Sequence, residues 1–382
     1  MFLTMADITP IPLARPSFDE AEVEAVRRVM ASGWVAGQGP AGSELEAGFR
    51  DLTQTKYAVA LNNCTAALHL AMIVTGIGPG DDVIVADYTY PATGHAIRYV
   101  GAHPVFADVR PDIATVNPRD VEAALTPQTV AIVGVDTLGQ CADWDELRVI
   151  ADRHGLLLIE DAACSAGATY RGRAAGSLAD IACLSLHARK GITSGEGGLL
   201  VTDNAEWAEK ARSLSVFGTE GAFGRATAPG FSIPSFVEIG YNYKLSDLQA
   251  AVAIVQLKKL NRFLTRRREL ATLYGEALAG LSDITLPTVA EGRDHTWQTY
   301  AVTLAAEINR DEVAANLRSV GIGCNIGTFA CHLQPVYEMP SACPVSARLF
   351  RSQLALPLFT DMTETDVERV ASGVGAAIAA AQ

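Results

Sequence analysis

Seven short segments of this 382-residue chain are nearly unbroken apolar runs, with stretches of helical spacing between them. They are 57–61 (YAVAL), 82–86 (DVIVA), 104–109 (PVFADV), 129–136 (TVAIVGVD), 156–161 (LLLIED), 181–187 (IACLSLH) and 198–202 (GLLVT). A strand with one wet face alternates apolar and polar residues, whereas one without that alternation must be covered on both faces. The covering material is present as well. Residues 65–76 (TAALHLAMIVTG), 121–128 (VEAALTPQ) and 143–155 (DWDELRVIADRHG) read as helices, with Gly76 and Gly155 as stops. The pattern predicts an α/β domain whose mostly parallel sheet is buried between helices.

Helical spacing also occupies 18–31, before the first strand. After about 250 the character changes. Ser246 to about Gly280 reads as one long helix, 296–304 (TWQTYAVTL) alternates like a strand with one exposed face, and 310–321 and 363–381 read as helices. The expected organisation is a large α/β domain over 1–250 and a smaller α+β domain over 251–382.

A net charge of −13 argues against the basic face that nucleic acid requires, but not against a phosphorylated small molecule, for which a few local donors suffice. The seven cysteines, without close pairs, fit reduced thiols in a cytoplasmic protein better than a disulfide frame or a zinc site, and no metal is expected. The start of the chain lacks the basic end and apolar core of a signal peptide. The most apolar long stretch, 57–80, is interrupted by Asn62, Asn63, Thr65 and His69, so no membrane span is expected.

Residues 37–42, GQGPAG, fit a dinucleotide fingerprint literally, but that motif must follow a buried strand, and here a helix precedes it. A loop that turns the chain is the expectation, and an oxidoreductase is disfavoured. In ALNNCTAALHL (60–70) a strand runs into a helix; either Asn63 or Thr65 simply caps that helix, or its exposed amides with the Thr65 hydroxyl hold a phosphate. Asp161 closes an apolar strand, at the sheet edge where α/β proteins bind ligands, as a cap or as partner to a cationic ring nitrogen.

The chain has only six lysines: 56, 190, 210, 244, 258 and 259. Arginine keeps its proton at neutral pH, so amine chemistry falls to one of these. Lys56 and Lys210 sit in surface patterns, and Lys258 and Lys259 are adjacent on a helix, where at least one faces solvent. Lys190 follows a buried strand that carries Ser185 and precedes a glycine-rich run, in SLHARKGITSGEGG (185–198). Lys244 is its rival. A Schiff-base lysine is expected to be partly desolvated, leaving a usable fraction unprotonated. A phosphate site at a helix start, a strand-end aspartate and a strand-end lysine are together the parts that pyridoxal phosphate needs.

These stretches resemble the DegT/DnrJ/StrS-type aminotransferases of sugar biosynthesis, which have the aspartate-aminotransferase-like fold type I. The resemblance runs from GWVAGQGP (33–40) through NCTAALHL (63–70), GIGPGDDVIV (76–85), GAHPVFADV (101–109), IEDAA (159–163), the Lys190 stretch and GYNYKLSDLQAA (240–251) to LALPLF (354–359). It implies Lys190 as the Schiff-base lysine, Asp161 under the ring nitrogen, and Thr65, the Cys64 amide and Ser185 as phosphate ligands. Tyr90 matches the aromatic residue that stacks on the cofactor; from the residues alone, core packing is favoured for it. Asn242 matches a residue that reaches the phosphate from the neighbouring subunit of a homodimer.

The chain departs from the family pattern in several places. Cys64 stands where many members have Gly, Cys164 where many have Gln beside the cofactor's 3-hydroxyl, and Lys244 where Arg is usual. GTFACH (327–332) keeps a single histidine, His332, near the expected substrate. Some relatives carry His at the lysine position and dehydrate their substrates; Lys190 speaks against that. The resemblance implies a transaminase that moves an amino group, from glutamate, onto a keto-sugar nucleotide. A cyclitol ketone, or another keto sugar without nucleotide, is the alternative substrate, and a cofactor-binding regulator without turnover is the reading from a different class.

Overall fold

All seven apolar runs enter one sheet. In this computed structural model, which describes residues 9–220, 234–337 and 342–382, they are β1 (Tyr57–Leu61), β2 (Asp82–Ala86), β3 (His103–Ala107), β4 (Thr129–Val135), β5 (Leu157–Asp161), β6 (Ile181–Ser185) and β7 (Gly198–Thr202). Their spatial order is β1-β7-β6-β5-β4-β2-β3, parallel throughout except that β7 runs against both its neighbours. Side chains alternate across the sheet. Val83 and Val85 pack with Phe106 and Val133 on one face, and Ile84 and Ala86 with Ile132, Trp144 and Leu158 on the other. Burial on both faces is why these strands show no polar alternation.

Covering helices are α1 (Glu20–Ser32), α2 (Pro40–Thr53), α3 (Cys64–Val74), α4 (Ala92–Tyr99), α5 (Pro118–Ala123), α6 (Trp144–His154) and α7 (Ala205–Ser215). Three of them, α2, α4 and α7, lie outside the helices that spacing suggested. Helix α2 holds Gly42 and Gly48, which weaken an isolated helix. Tertiary contact supplies the difference, because the Asp247 carboxylate accepts from the amides of Gly39, Ala41 and Gly42 at 3.1, 3.0 and 3.4 Å. GQGPAG is thus a turn leading into a helix whose free amides the chain's own aspartate occupies. A Cβ at Gly39 would lie 2.1 Å from Asp247 Oδ2.

The helix expected at 121–128 is shifted, since Asn117 caps it and Pro118 takes its first position. The strand expected over 296–304 forms only at Tyr300–Leu304. Before it, the amides of Thr296 and Thr299 donate to the carbonyls of Gly139 and Leu138, drawing this stretch over the large sheet.

Helix α8 (Asp247–Leu278), capped by Ser246, spans two cores. Ile254, Leu260, Phe263 and Leu264 pack with Leu45, Phe49 and Leu184. Leu270, Tyr274 and Leu278 pack instead with Tyr300, Val302 and Val370. Position 250 therefore falls inside a helix, and its residues up to Leu264 belong to a large-domain core. Ile11 joins the small core and bridges to Ile322, so that core also draws on the start of the chain. The small sheet runs 284–285, 300–304, 353–356, 325–326, all antiparallel. Helices α9 (Arg310–Ser319) and α11 (Glu364–Ala379) cover it, while α10 (Pro344–Ser352) returns to the large domain through Leu349. Among the described residues no helix is long and apolar enough to cross a membrane.

Candidate active site

Parallel strands leave their carboxyl ends on one edge, where the loops that follow them open a crevice. A cavity of about 770 Å³ lies there, and Cys64, Thr65, Tyr90, Asp161, Cys164, Ser185 and Lys190 all line it. Asp161 is the last residue of β5, Ser185 the last of β6, and Lys190 follows in the next loop. Because β7 is antiparallel, its first residue, Gly198, arrives at the same edge, opposite both Leu61 and Ser185. A Cβ on Gly198 would lie 2.5 Å from the Cys64 nitrogen. The glycine thus lets the start of α3 press against the sheet. That contact explains the last glycine of GEGG.

At the start of α3, Asn63 is the cap: its side chain accepts from the Ala66 amide at 2.8 Å. The Cys64 and Thr65 amides, in the first turn, have no carbonyl behind them in the helix and are suited to an anion.

The Asp161 carboxylate is buried; it accepts from Thr93 Oγ1 at 2.7 Å and from the Ala163 amide at 3.1 Å. Burial pushes its carboxyl upward from the ordinary range, against the pull of those two donors and of Lys190. A cationic ring nitrogen in the cavity would offset the same burial and hold the carboxylate ionised.

Lys190 is half-buried, and its Nζ donates to Cys164 Sγ at 3.1 Å. Burial alone lowers the ammonium, but the Cys164 and Cys64 sulfurs and Asp161 outweigh it, and the net direction is up. The desolvation expected of a Schiff-base lysine is present, but it does not by itself free the amine of its proton. Lys244 lies elsewhere, with its amine on Asn242 Oδ1 and 5.0 Å from the centre of the Phe217 ring.

Tyr90 is 67% exposed, which removes the core-packing reading; its ring meets Phe329 edge-on at 6.0 Å. Two of the expected residues are not brought to this cavity. His332 is turned into the protein, its amide and Nδ1 on the two Asp87 oxygens at 2.7 and 2.6 Å. Asp87 is fully buried, and a buried carboxylate requires such a partner. Asn242 is exposed on its own chain and does not line the cavity.

Other residues at the site escaped the sequence reading. Thr93 holds Asp161 from 68 residues away, and Gln298 and Thr299 line the cavity through the loop contacts described above. Asp136 also lines it, yet its oxygens accept from the Ala142 amide, Trp144 Nε1 and Ser165 Oγ, so it is a scaffold group. The one local hint was the run YPAT (90–93), which places a threonine one turn after Tyr90.

The geometry agrees with what the chain resembles in sequence and in fold. Residues 16–375 match the model of the DegT/DnrJ/EryC1/StrS aminotransferase family. The aminotransferase TlmJ of Streptoalloteichus hindustanus is 31% identical, with 98% of this chain and 100% of that one aligned at a TM-score of 0.91. DesI, solved in the presence of its TDP-sugar product, is 34% identical over 97% of this chain and 93% of its own, TM-score 0.87. Spr1654 of Streptococcus pneumoniae in its PLP form is 27% identical over 98% and 100%, TM-score 0.91. With a family match over nearly its whole length and a fold type I architecture, this chain belongs to the DegT/DnrJ/EryC1/StrS family and is an aminotransferase.

Proposed function

We propose that this aminotransferase binds pyridoxal 5′-phosphate and transfers an amino group from L-glutamate to a keto-sugar nucleotide, as a cytoplasmic homodimer with shared active sites. One observation carries the reading: a helix start with free amides, a buried carboxylate and a lysine converge on one cavity. These donors fit the cofactor's three chemical handles. The Cys64 and Thr65 amides, the Thr65 hydroxyl and Ser185 take the phosphate, Asp161 pairs with the ring nitrogen, and Lys190 bonds the aldehyde. Tyr90 and Cys164, which line the same cavity, would cover the ring and border its 3-hydroxyl.

When bound, the cofactor supplies an aldehyde for amine exchange and a ring that accepts the electron pair left by a departing α-proton. The chain's residues do the rest. Asp161, positioned by its two donors, would pair with the ring nitrogen and favour its protonated form. Lys190, whose Nζ faces the cavity, would be the group that bonds the aldehyde and, once freed, the base and acid that carries the proton during amine transfer. Asn242, exposed beyond its own cavity, reaches the phosphate of the neighbouring subunit's site.

The nucleotide is favoured over a bare cyclitol ketone by DesI, a relative at 34% identity solved with a TDP-sugar product. The test is a glutamate half-reaction followed by competing keto substrates. A nucleotide-linked sugar brings a diphosphate, so binding should weaken with salt and free nucleoside diphosphate should compete. No inhibition by any nucleoside diphosphate at millimolar levels would shift the reading to the cyclitol. A cofactor-loaded protein that never exchanges its amine with any donor would be the regulator instead.

A further inference from the structure

Six of the seven cysteines, all within the described residues, are buried, and Cys164 alone is half-buried. It faces the cavity, and its thiol is hydrogen-bonded to the amine of Lys190 at 3.1 Å. The backbone that follows it is fixed. Its carbonyl accepts from Thr296 Oγ1 at 2.8 Å, while the next residue, Ser165, is tied by its hydroxyl to Asp136 at 2.7 Å. The thiol, its backbone fixed by scaffold contacts, therefore lies within hydrogen-bonding distance of the amine, in a cavity a small oxidant can enter.

We propose that Cys164 and Lys190 form a peroxide-responsive covalent lock, in which an S–N bond ties up the lysine and blocks cofactor attachment. In the first step the thiol sulfur attacks hydrogen peroxide. The O–O bond breaks, an S–O bond forms, sulfur is oxidised to the sulfenic acid and the peroxide is reduced to water. In the second step the Nζ lone pair attacks that sulfur, the S–N bond forms, and the S–O bond breaks. Hydroxide leaves and takes a proton from the nitrogen as a second water. Two thiol equivalents reverse the lock, the first displacing the amine as a mixed disulfide and the second freeing Cys164.

The surroundings favour the second step. Burial lowers the Lys190 ammonium, and the Cys164 sulfur is the foremost influence holding it up. That same burial favours the neutral amine that attacks the electrophile. The cross-link depends only on this geometry; its effect on turnover rests on Lys190 being the cofactor lysine, and the two are read separately.

The experiment exposes cofactor-loaded protein to hydrogen peroxide, with and without the amino donor that frees Lys190, alongside cofactor-stripped protein. Peptide mapping should find the 164 and 190 peptides joined, lighter by two hydrogens, faster wherever Lys190 is free, and separated again by dithiothreitol. The fraction of chains unable to take up pyridoxal phosphate should equal the fraction cross-linked. Cys164→Ser, whatever its own activity, should lose none of it to the same treatment. A joined pair without a matching loss of cofactor uptake would leave the cross-link standing but overturn the lock, and with it Lys190 as the cofactor lysine. Sulfinic or sulfonic acid at 164 without a cross-link, a bridge that retains oxygen, or equal peroxide loss in Cys164→Ser would overturn the proposal.

Discussion

Replacing Thr93 with valine removes one hydroxyl from the floor of the site and changes little else. The side chain is fully buried, and its Oγ1 lies 2.7 Å from Asp161 Oδ2, closer than to Thr89 Oγ1 or the Tyr90 carbonyl. A hydrogen bond to an ionised group contributes about 1.5–3 kcal/mol. Its loss should raise the Asp161 carboxyl still further beyond the rise that burial already imposes. The same free energy is withdrawn from a cationic ring nitrogen bound to that carboxylate. Affinity for pyridoxal phosphate should therefore fall about ten- to a hundredfold. Valine keeps the volume and branching of threonine, so the fold should persist, and Thr93→Ser should restore most of the affinity. The assay is equilibrium dialysis of the cofactor across pH, with denaturant melts of the stripped proteins as the control for folding. A valine variant that holds the cofactor as tightly as the parent, with the same pH dependence, refutes the assignment.

Borohydride reduction and peptide mapping should place the pyridoxyl group on Lys190; a label on Lys244 would end this account of the site. Lys190→Ala and Asn242→Ala should each be poor enzymes as homodimers. Refolded together, about half the dimers are mixed and hold one intact site each, so roughly a quarter of parent activity should return. If no activity returns although mixed dimers form, Asn242 serves its own subunit. His295 is buried, stacked on Trp297 at 4.2 Å, and burial depresses its pKa to about 3. A depressed folded value means the unfolded chain takes the proton first, so stability should be full above about pH 6.5 and fall toward pH 3, by up to about 1.4 kcal/mol per pH unit from this group. Urea melts of His295→Phe should show a shallower acid slope than the parent; equal slopes would exclude the histidine as a source of acid sensitivity.

The strands, and the sheet they build, were legible because burial on both faces leaves an unmistakable local record: runs such as DVIVA and IACLS with no polar alternation. That Lys190 and Asp161 sit at the carboxyl edge of the sheet was legible from their places after strands, although counting lysines left Lys244 as a rival until the fold kept it out of the cavity. Helix α2 was not legible, because its glycines oppose it and an aspartate more than 200 residues away supports it. The partner of His332 was hidden for the same reason: nothing in GTFACH reveals that the buried Asp87 claims its ring. Thr93 and Gln298 looked like ordinary residues until the fold set them against Asp161 and the cavity. Periodicity and residue chemistry act over a few positions and can be read from the chain itself. Which distant groups meet is decided by how whole elements pack, and a packed contact such as Thr93 on Asp161 exists only once the sheet has assembled.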